Sequence, residues 1–252
     1  MPSSGLILVS DDGPVRTVRI NRPEKKNALT APMYAALSAA FEAAARSPDV
    51  RCMVIAGAPD AFCAGNDLQD FRDAAEHAAG LAPPLLHFLV ALARAEKPLV
   101  AAVRGLAVGI GTTLLFHCDH VVAATDARFS TPFVPLGLVP EAASSLLAPR
   151  LMGHARAFAL LAMGRPLDAP GAQAAGLVNT VVASAQVEDE AMRAAREIAS
   201  LPAEALSLTR RLLRGSPDPA IERIEEEADL FKVRLGSPEA RAAFDRFLAK
   251  KK

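Results

Sequence analysis

The sequence is poor in cysteine, has no excess of charge of either sign and contains no long hydrophobic run. Its three cysteines, Cys52, Cys63 and Cys118, stand singly in apolar surroundings among 252 residues. Because they have no paired spacing, they argue against a disulfide framework and against a zinc site. We therefore expect no bound metal and a protein of the reducing cytoplasm.

Charge and hydropathy exclude two further classes of partner. Basic and acidic residues number 28 each, so the formal net charge is zero and no overall field attracts nucleic acid or an anionic membrane. The first residues lack the basic and apolar regions of a secretory signal. The longest apolar run, residues 106–116, is too short to span a bilayer. We expect a soluble protein that is not secreted.

Apolar patterning predicts strands that alternate with helices as far as residue 182. The predicted strands cover residues 5–10, 15–21, 52–57, 99–103, 120–124 and 177–182. The predicted helices are one from Thr30 to about Arg46, two within residues 68–95 joined at Gly80 and Pro83-Pro84, and those at 110–117, 142–151, 155–163 and 169–175. This order is typical of an α/β fold with a mostly parallel sheet, and a glycine turn after two of the strands suggests a repeat.

From residue 187 onwards the pattern is helical, with breaks at Pro202, residues 215–219 and residues 236–238. We interpret the chain as a core of residues 1–195 followed by a C-terminal helical region of residues 196–252. The helical region carries many large apolar side chains, and exposing all of them to water would be costly. It is therefore expected to form subunit contacts or to fold back over the core.

The most informative stretch runs from Gly105 to Glu141. Gly105, Gly109 and Gly111 precede an apolar helix, so backbone N–H groups would be accessible where that helix begins. The stretch ends on Glu141, alone among apolar residues. A hole for a developing negative charge followed by a solitary carboxylate suits proton transfer next to a carbonyl. A buried glycine-bearing helix, with a glutamate favoured by the helix dipole, is the open alternative.

Other chemistries find little support in these residues. The pair Gly109-x-Gly111 lacks the third glycine of a dinucleotide fingerprint because Leu114 stands in its place. Ser144-Ser145 is not flanked by the glycines of a nucleophile elbow, and no histidine is tied to a serine or cysteine by a motif. The histidines that flank Cys118-Asp119 are better explained as a helix-to-strand corner than as a metal site.

Several short landmarks, taken in order, resemble the crotonase (enoyl-CoA hydratase/isomerase) superfamily. They are Asn21-Arg22-Pro23, Asn27-Ala28-Leu29, the residues FCAGNDL at 62–68, the glycines at 105–111, Cys118-Asp119 and Ala175-Gly176-Leu177-Val178. The resemblance implies a ClpP-like spiral of β-β-α repeats with a helical C-terminal region that assembles trimers or pairs of trimers. It also implies an acyl-CoA substrate and no separate cofactor, since coenzyme A is part of the substrate.

The same resemblance implies a set of site residues. The thioester oxygen would lie between the backbone N–H groups of Ala64 and Ile110, which form an oxyanion hole. The remaining residues expected to contact substrate are Lys25, Lys26, Ala28, Gly65, Asn66, Asp67, Leu68, Gly109, Gly111, Phe133 and Leu136. Arg22 and the two lysines are the basic residues placed to meet the coenzyme A phosphates.

The carboxylates indicate which reaction to expect. Hydratases that resemble this chain carry two glutamates, at places held here by Thr113 and Phe133. Neither residue can take a proton from water at neutral pH. The residues around Pro140-Glu141 resemble instead the peroxisomal-type Δ3,Δ2-enoyl-CoA isomerases, which implies Glu141 as the base. Hydration of 2-enoyl-CoA and non-catalytic binding of coenzyme A remain the alternatives.

Overall fold

The predicted alternation of strands and helices is present in a computed structural model, which describes residues 5–58, 60–67 and 81–249. The strands are β1 (Ile7–Asp12), β2 (Val15–Ile20), β3 (Cys52–Gly57), β4 (Ala61–Cys63), β5 (Leu99–Val103), β6 (Leu106–Val108), β7 (His120–Ala124), β8 (Arg128–Ser130), β9 (Leu167–Asp168) and β10 (Thr180–Val182). The α-helices are α1 (Ala31–Arg46), α2 (Pro83–Ala93), α3 (Ile110–Thr113), α4 (Ser144–Met152), α5 (His154–Leu161), α6 (Ala169–Ala174), α7 (Val187–Ser200), α8 (Ala203–Arg214), α9 (Asp218–Leu235) and α10 (Pro238–Ala249).

The strands form two sheets. The larger has the order β1-β2-β3-β5-β7-β10 and is parallel from β2 onwards, while β1 pairs antiparallel with β2. The smaller has the order β4-β6-β8-β9. From β3 to β8, each successive pair of strands places its first member in the large sheet and its second in the small one. This arrangement confirms the predicted α/β fold with β-β-α repeats.

Glycine allows the chain to turn from one sheet into the other. Gly105 lies between β5 and β6 with a φ of 57°, a left-handed conformation that favours glycine. A Cβ at this position would lie 2.5 Å from the backbone oxygen of Asp60. Every residue of β3 and β5 is buried, as expected for central strands of a sheet covered on both faces.

Strongly patterned elements agree with the prediction, whereas several element ends differ. The strands at 52–57, 99–103 and 120–124 are confirmed. The predicted helix at 110–117 divides into α3 and a 3-10 turn, Leu114–His117. The predicted strand at 177–182 begins only at Thr180, because the N–H groups of Leu177 and Val178 bond to the Ala172 carbonyl at the end of α6.

The segment between β4 and α2 is described only in part. Residues 68–80 lie outside the described residues, and with them Leu68, the first of the two predicted helices and the predicted joint at Gly80. The second helix is confirmed as α2, which begins at Pro83. Within the described part of the chain, no helix is both long and apolar enough to cross a membrane.

The predicted boundary after residue 195 falls inside α7. This helix packs against β3, β5 and β7, so it belongs with the large sheet. The chain leaves that helix at Leu201, which has an extended backbone, and Pro202 follows. The division of the chain at residue 195 therefore stays a prediction, while the change of packing occurs a few residues later.

A buried asparagine holds the basic loop against the small sheet. Asn27 is fully buried with a φ of 59°, and its amide Nδ2 donates to the carbonyl of Ala61 at 2.6 Å. Its Oδ1 accepts from the backbone N–H of Arg22 at 2.8 Å. The loop also pairs with the segment after β4 through the Leu29 N–H, which donates to Gly65 at 2.8 Å. The Asn-Ala-Leu motif thus fixes this loop.

We expect Asn27→Ala to destabilise the protein by about 2–4 kcal/mol, because it removes the side-chain partners of the buried Ala61 carbonyl and the half-buried Arg22 N–H. Urea denaturation measures this as a lower midpoint. The exposed neighbour variant Lys25→Ala is the control and should leave the midpoint unchanged. Equal midpoints for Asn27→Ala and the unaltered protein would show that this side chain does not hold the loop.

Candidate active site

The two glycine loops of the sequence meet at the centre of the molecule. Gly65 follows β4 with a φ of 95°, and a Cβ there would lie 3.1 Å from the Val108 carbonyl oxygen. A Cβ on Gly109 would reach Gly65 at 4.0 Å, and one on Gly111 would lie 2.5 Å from the Cys63 oxygen. A side chain at Gly65 or Gly111 would therefore push the loops apart, whereas a Cβ on Gly109 would make only an ordinary contact. The predicted meeting of the two backbones depends on these glycines.

The two predicted oxyanion donors differ in their present partners. Ile110 is the first residue of α3, and its N–H makes no hydrogen bond within the described residues. The N–H of Ala64 donates to the Lys26 carbonyl at 3.0 Å. Ile110 is therefore available to a ligand oxygen, whereas Ala64 would have to share its hydrogen or turn away from Lys26.

Glu141 is buried beside these loops without a hydrogen-bond partner. Its residue is 1% exposed, and neither carboxyl oxygen has a partner among the residues that the structure describes. The side chains of Asn66 and Thr113 lie close enough to favour its charged form, although neither bonds to it with good geometry. Tyr34 of α1 donates to the side-chain oxygen of Asn66. The carboxyl group is thus held in a small polar cluster within an apolar interior.

This environment changes the acidity of Glu141. Burial is the main cause that raises its pKa to about 8, and the nearby carboxyl of Glu227 adds to the effect. Asn66 and Thr113 oppose the rise weakly. A carboxyl group with a pKa near neutrality can accept a proton as carboxylate and return it as acid. The sequence singles out this residue as the solitary carboxylate after the second glycine loop.

Sequence reasoning missed Glu227, which lies on α9 and is 4% exposed. Its carboxylate accepts from the backbone N–H of Ala143 at 2.7 Å, from the N–H of Ser145 at 3.0 Å and from the Ser145 hydroxyl at 2.6 Å. These groups begin α4, just after Glu141, so Glu227 acts as the missing cap of that helix. The signal was present: position 227 continues the buried spacing of Ile221 and Ile224.

The backbone after Glu141 needs this support. Ala142 and Ala143 both have left-handed φ angles, 62° and 54°, and the predicted helix start at residue 142 is therefore delayed to Ser144. Non-glycine residues pay roughly 1–2 kcal/mol each for this conformation. The bonds from α9 offset that cost and set the direction in which Glu141 points.

The basic loop presents two lysines and one paired arginine. Lys25 and Lys26 are exposed, as a phosphate contact requires. Arg22 instead donates to the carboxylate of Asp67 at 2.6 Å and to the Ala28 carbonyl at 3.1 Å. Arg22 and Asp67 therefore neutralise one another and brace the two loops. Lys25 and Lys26 form no ion pair with a residue of the described ranges, so they remain candidates for the predicted phosphate contact.

Phe133 and Leu136, two of the residues expected to contact substrate, form an apolar wall near the C-terminal helices. Phe133 is buried and Leu136 is half-buried. The turn that follows them is covered by α10, since a Cβ on Gly137 would lie 2.8 Å from the Ala240 nitrogen. Arg234 of α9 donates to the Gly137 carbonyl at 3.0 Å. The C-terminal region therefore folds back over this part of its own core.

The described residues contain no group of three or more His, Cys, Asp and Glu side chains that could hold a metal ion. The polar groups around Glu141 are the amide of Asn66 and the hydroxyls of Thr113 and Ser144, the two hydroxyls being buried without partners. Such groups can orient a carboxyl and its proton.

Comparison with known proteins gives a consistent result. Residues 11–252 match the family described as Enoyl-CoA hydratase/isomerase. Enoyl-CoA delta isomerase 2 of Rattus norvegicus is 37% identical over 250 residues, covering 97% of this chain and 64% of its own length. A probable enoyl-CoA hydratase of Rhizobium meliloti (strain 1021) is 33% identical over 247 residues, covering 98% of this chain and 96% of its own. The chain thus spans less than two thirds of the rat relative.

A solved structure shows the same fold. The structure of Pseudomonas aeruginosa OdaA superposes with a TM-score of 0.92 at 41% identity. The superposition covers 97% of this chain and 99% of that one. The α/β arrangement described above is therefore shared along nearly the whole length of both chains.

We expect Glu227→Gln to lower stability by about 1–3 kcal/mol, because an amide cannot accept all three bonds that the carboxylate accepts. It should also lower the pKa of Glu141, because a like charge nearby is removed. Urea denaturation measures the first effect. Carbon-13 NMR of glutamate carboxyl groups measures the second, with the Glu141 signal assigned from its loss in Glu141→Gln.

Glu225→Gln, an exposed change on the same helix, is the matched control and should alter neither quantity. An unchanged Glu141 pKa in Glu227→Gln would show that the neighbouring charge has no influence on the base. An unchanged denaturation midpoint would show that α4 does not need this cap.

Proposed function

The chain belongs to the enoyl-CoA hydratase/isomerase family, and from this premise we propose that it shifts a double bond from 3-enoyl-CoA to trans-2-enoyl-CoA. The observation that carries the proposal is the buried carboxyl of Glu141, which has no hydrogen-bond partner in the described part of the chain. It stands next to Asn66 and Thr113 and close to the start of α4. The relative named enoyl-CoA delta isomerase 2 supports the same activity.

The proposed reaction uses one base and a backbone hole. Glu141 removes a proton from C2 of the 3-enoyl thioester, and the released electron pair forms an enolate. The N–H groups of Ile110 and Ala64 stabilise the negative oxygen. When the enolate collapses, a double bond forms between C2 and C3, and C4 takes back the proton from Glu141. One proton leaves and one returns, so no water enters the reaction.

The environment of Glu141 suits this transfer. An apolar surrounding that includes Phe133 removes water from the carboxyl and strengthens it as a base, which is the cause of its raised pKa. A base whose pKa lies near the working pH accepts a proton and donates it again with similar ease. The N–H of Ile110 has no hydrogen-bond partner among the described residues, so a bond to the substrate oxygen would replace no existing bond.

Hydration of 2-enoyl-CoA is the second candidate. The relative from Rhizobium meliloti named a probable enoyl-CoA hydratase favours it. Against it, Thr113 and Phe133 occupy the places where the resembling hydratases carry glutamates, and Thr113 has a buried hydroxyl that cannot act as a base at neutral pH. A third candidate is binding of coenzyme A without catalysis, which gives no role to the unpaired carboxyl.

One assay separates the three. Purified protein is incubated with a 3-enoyl-CoA and, separately, with a 2-enoyl-CoA, and the absorbance of the conjugated thioester is followed. Isomerisation raises the signal with the first substrate, and hydration lowers it with the second. Binding without catalysis changes neither signal but is measurable by calorimetry with acyl-CoA.

We expect Glu141→Gln to reduce isomerisation by about 10⁴-fold, at the upper end for loss of a positioned base, while acyl-CoA still binds. For the unaltered protein, kcat/KM should rise with pH and level off above about pH 8, because the base must be deprotonated and its pKa is about 8. Activity of Glu141→Gln within a few-fold of the unaltered protein would reject Glu141 as the base. Calorimetric binding of an unreactive acyl-CoA is the folding control.

We expect Lys25→Ala with Lys26→Ala to raise KM more than it lowers kcat. Contacts to the phosphates of coenzyme A lie far from the reacting carbons, so ground and transition states share them equally. Steady-state kinetics at low salt measure the change in KM and the change in kcat separately. Arg46→Ala, another exposed cation, is the control. An unchanged KM in the double variant would place coenzyme A elsewhere.

The proposed assembly is a trimer or a pair of trimers. The large apolar side chains of the C-terminal region divide into two groups. Those on the inner faces of α9 and α10 are buried within the chain, namely Ile221, Ile224, Phe231, Leu235 and Phe244. Others stay exposed, including Leu212 at 82% and Leu213 at 83%, and α8 contains no buried residue at all. An exposed apolar face of this kind is typical of a helix that packs against another protein surface.

We expect a mass of about three or six times the 26.4 kDa of one chain by light scattering during size exclusion. Leu212→Asp with Leu213→Asp should yield smaller species, because charge on these positions opposes burial. Leu151→Asp, an exposed change on α4, is the control and should leave the mass unchanged. A clean monomer of the unaltered protein at micromolar concentration would contradict the assembly. The cytoplasmic location stays a prediction.

A further inference from the structure

A second cavity lies away from the glycine loops, between the end of α2, the 3-10 turn before β7 and helix α8. Its volume is about 490 Å³, within the range of small-molecule sites. The charged and polar residues that line it are Arg94, Glu96, His117, Ser207, Arg210, Arg211, Arg214 and Ser216. None of the residues expected to contact the thioester lines this cavity, so it is separate from the proposed acyl-CoA site.

Arg210 is anchored in the wall of the cavity with one nitrogen unused. Its side chain is 10% exposed. Its Nε donates to the carboxylate of Asp119 at 2.9 Å, and its Nη1 donates to the Ala95 carbonyl at 2.6 Å. Its Nη2 is buried and has no partner among residues of the described ranges. A rigidly held guanidinium with a free donor is the usual foundation of an oxyanion site.

Arg214 lies one helical turn further along α8 and is less well satisfied. It forms no hydrogen bond or ion pair with a described residue, and its Nη1 is buried. Burial and the neighbouring Arg210 both lower its pKa. An arginine stays charged at any physiological pH. Burying the guanidinium of Arg214 without a partner therefore costs free energy. An anion between the two guanidinium groups would remove that cost.

The charges around the cavity indicate what kind of anion it would bind. Four arginines carry four positive charges, and Glu96 with Asp119 carries two negative ones, which leaves an excess of two. A phosphomonoester is a dianion near neutral pH and has oxygens enough for several guanidinium donors. The hydroxyl of Ser207 adds a neutral donor at the edge, whereas that of Ser216 already donates to the Asp218 carboxylate at 2.7 Å. The remaining wall is apolar, with Leu147, Pro217 and Ala220 available to an organic group.

We propose that this arginine-lined cavity binds the phosphate group of a small phosphomonoester, with Arg210 and Arg214 as its principal donors. The site adjoins the proposed catalytic turn through one side chain. His117 lines the cavity, and its Nε2 lies 2.8 Å from the carbonyl oxygen of Ala142, the residue after Glu141. Burial lowers the pKa of His117 to about 4, so the imidazole is neutral here and donates this bond without adding charge.

The test is calorimetric titration with inorganic phosphate and with AMP, each at constant ionic strength maintained by chloride, and with adenosine as the uncharged comparison. The unaltered protein should bind phosphate and AMP saturably and adenosine not at all. Arg214→Gln should weaken both by about tenfold or more, since it removes a charge-assisted hydrogen bond. Arg156→Gln, an exposed change on α5 outside the cavity, should bind as the unaltered protein does.

Three outcomes would overturn the proposal. The first is that the unaltered protein shows no saturable phosphate binding, and the second is that Arg214→Gln binds phosphate with the same affinity as the unaltered protein. The third is that the unaltered protein binds no phosphate and Arg214→Gln changes the oligomeric mass, which would assign the cavity to a neighbouring subunit. Should Arg214→Gln fail to fold, Arg94→Gln and Arg211→Gln at the exposed rim replace it. A several-fold loss in each supports the site, and unchanged affinity in both rejects it. None of these measurements depends on isomerase activity.

Discussion

The burial of one carboxyl group, that of Glu141, is the constraint on which the rest of the site depends. A carboxylate without partners is costly in an apolar interior, and the usual response is a raised pKa. Here the raised pKa of about 8 occurs together with a lack of hydrogen-bond partners among the described residues, a combination that is consistent with the proposed role in proton transfer. The surrounding groups, Asn66 and Thr113, are polar but uncharged. They can orient the carboxyl without neutralising it.

The carboxyl keeps its direction because the backbone behind it is held from a distant part of the chain. Ala142 and Ala143 adopt a left-handed conformation that neither residue prefers. Glu227 accepts hydrogen bonds from the backbone N–H groups of Ala143 and Ser145, and it thereby caps the N-terminus of α4 in place of a local residue. A second carboxylate near the first also raises the pKa of the base. One contact from α9 therefore serves both the geometry and the acidity of Glu141.

The C-terminal helices have three distinct relations to the core. Helix α9 supports the turn of Glu141, and α10 covers the turn at Gly137 next to the apolar wall. Helix α8 buries none of its residues in the chain, and it presents apolar side chains on one side and arginines on another. The region that the sequence marks as an appendage thus completes the core with two helices and offers surfaces with the third. The arginine cavity lies where this third helix meets the base of the large sheet.

The sequence by itself determined the fold class, the bounds of β3, β5 and α1, and the identity of Glu141 as the solitary carboxyl after the second glycine loop. Periodicity and propensity act over neighbouring residues, so continuous buried strands and one long amphipathic helix could be predicted from them. Only the tertiary structure decided that Arg22 pairs with Asp67, that the Ala64 amide bonds to Lys26, and that Glu227 accepts hydrogen bonds from the start of α4. These contacts join residues far apart in the chain, and no local pattern specifies which of several similar side chains will meet. The arginine cavity is of the same kind, because it combines α2, α8 and the turn before β7, which share no sequence signal.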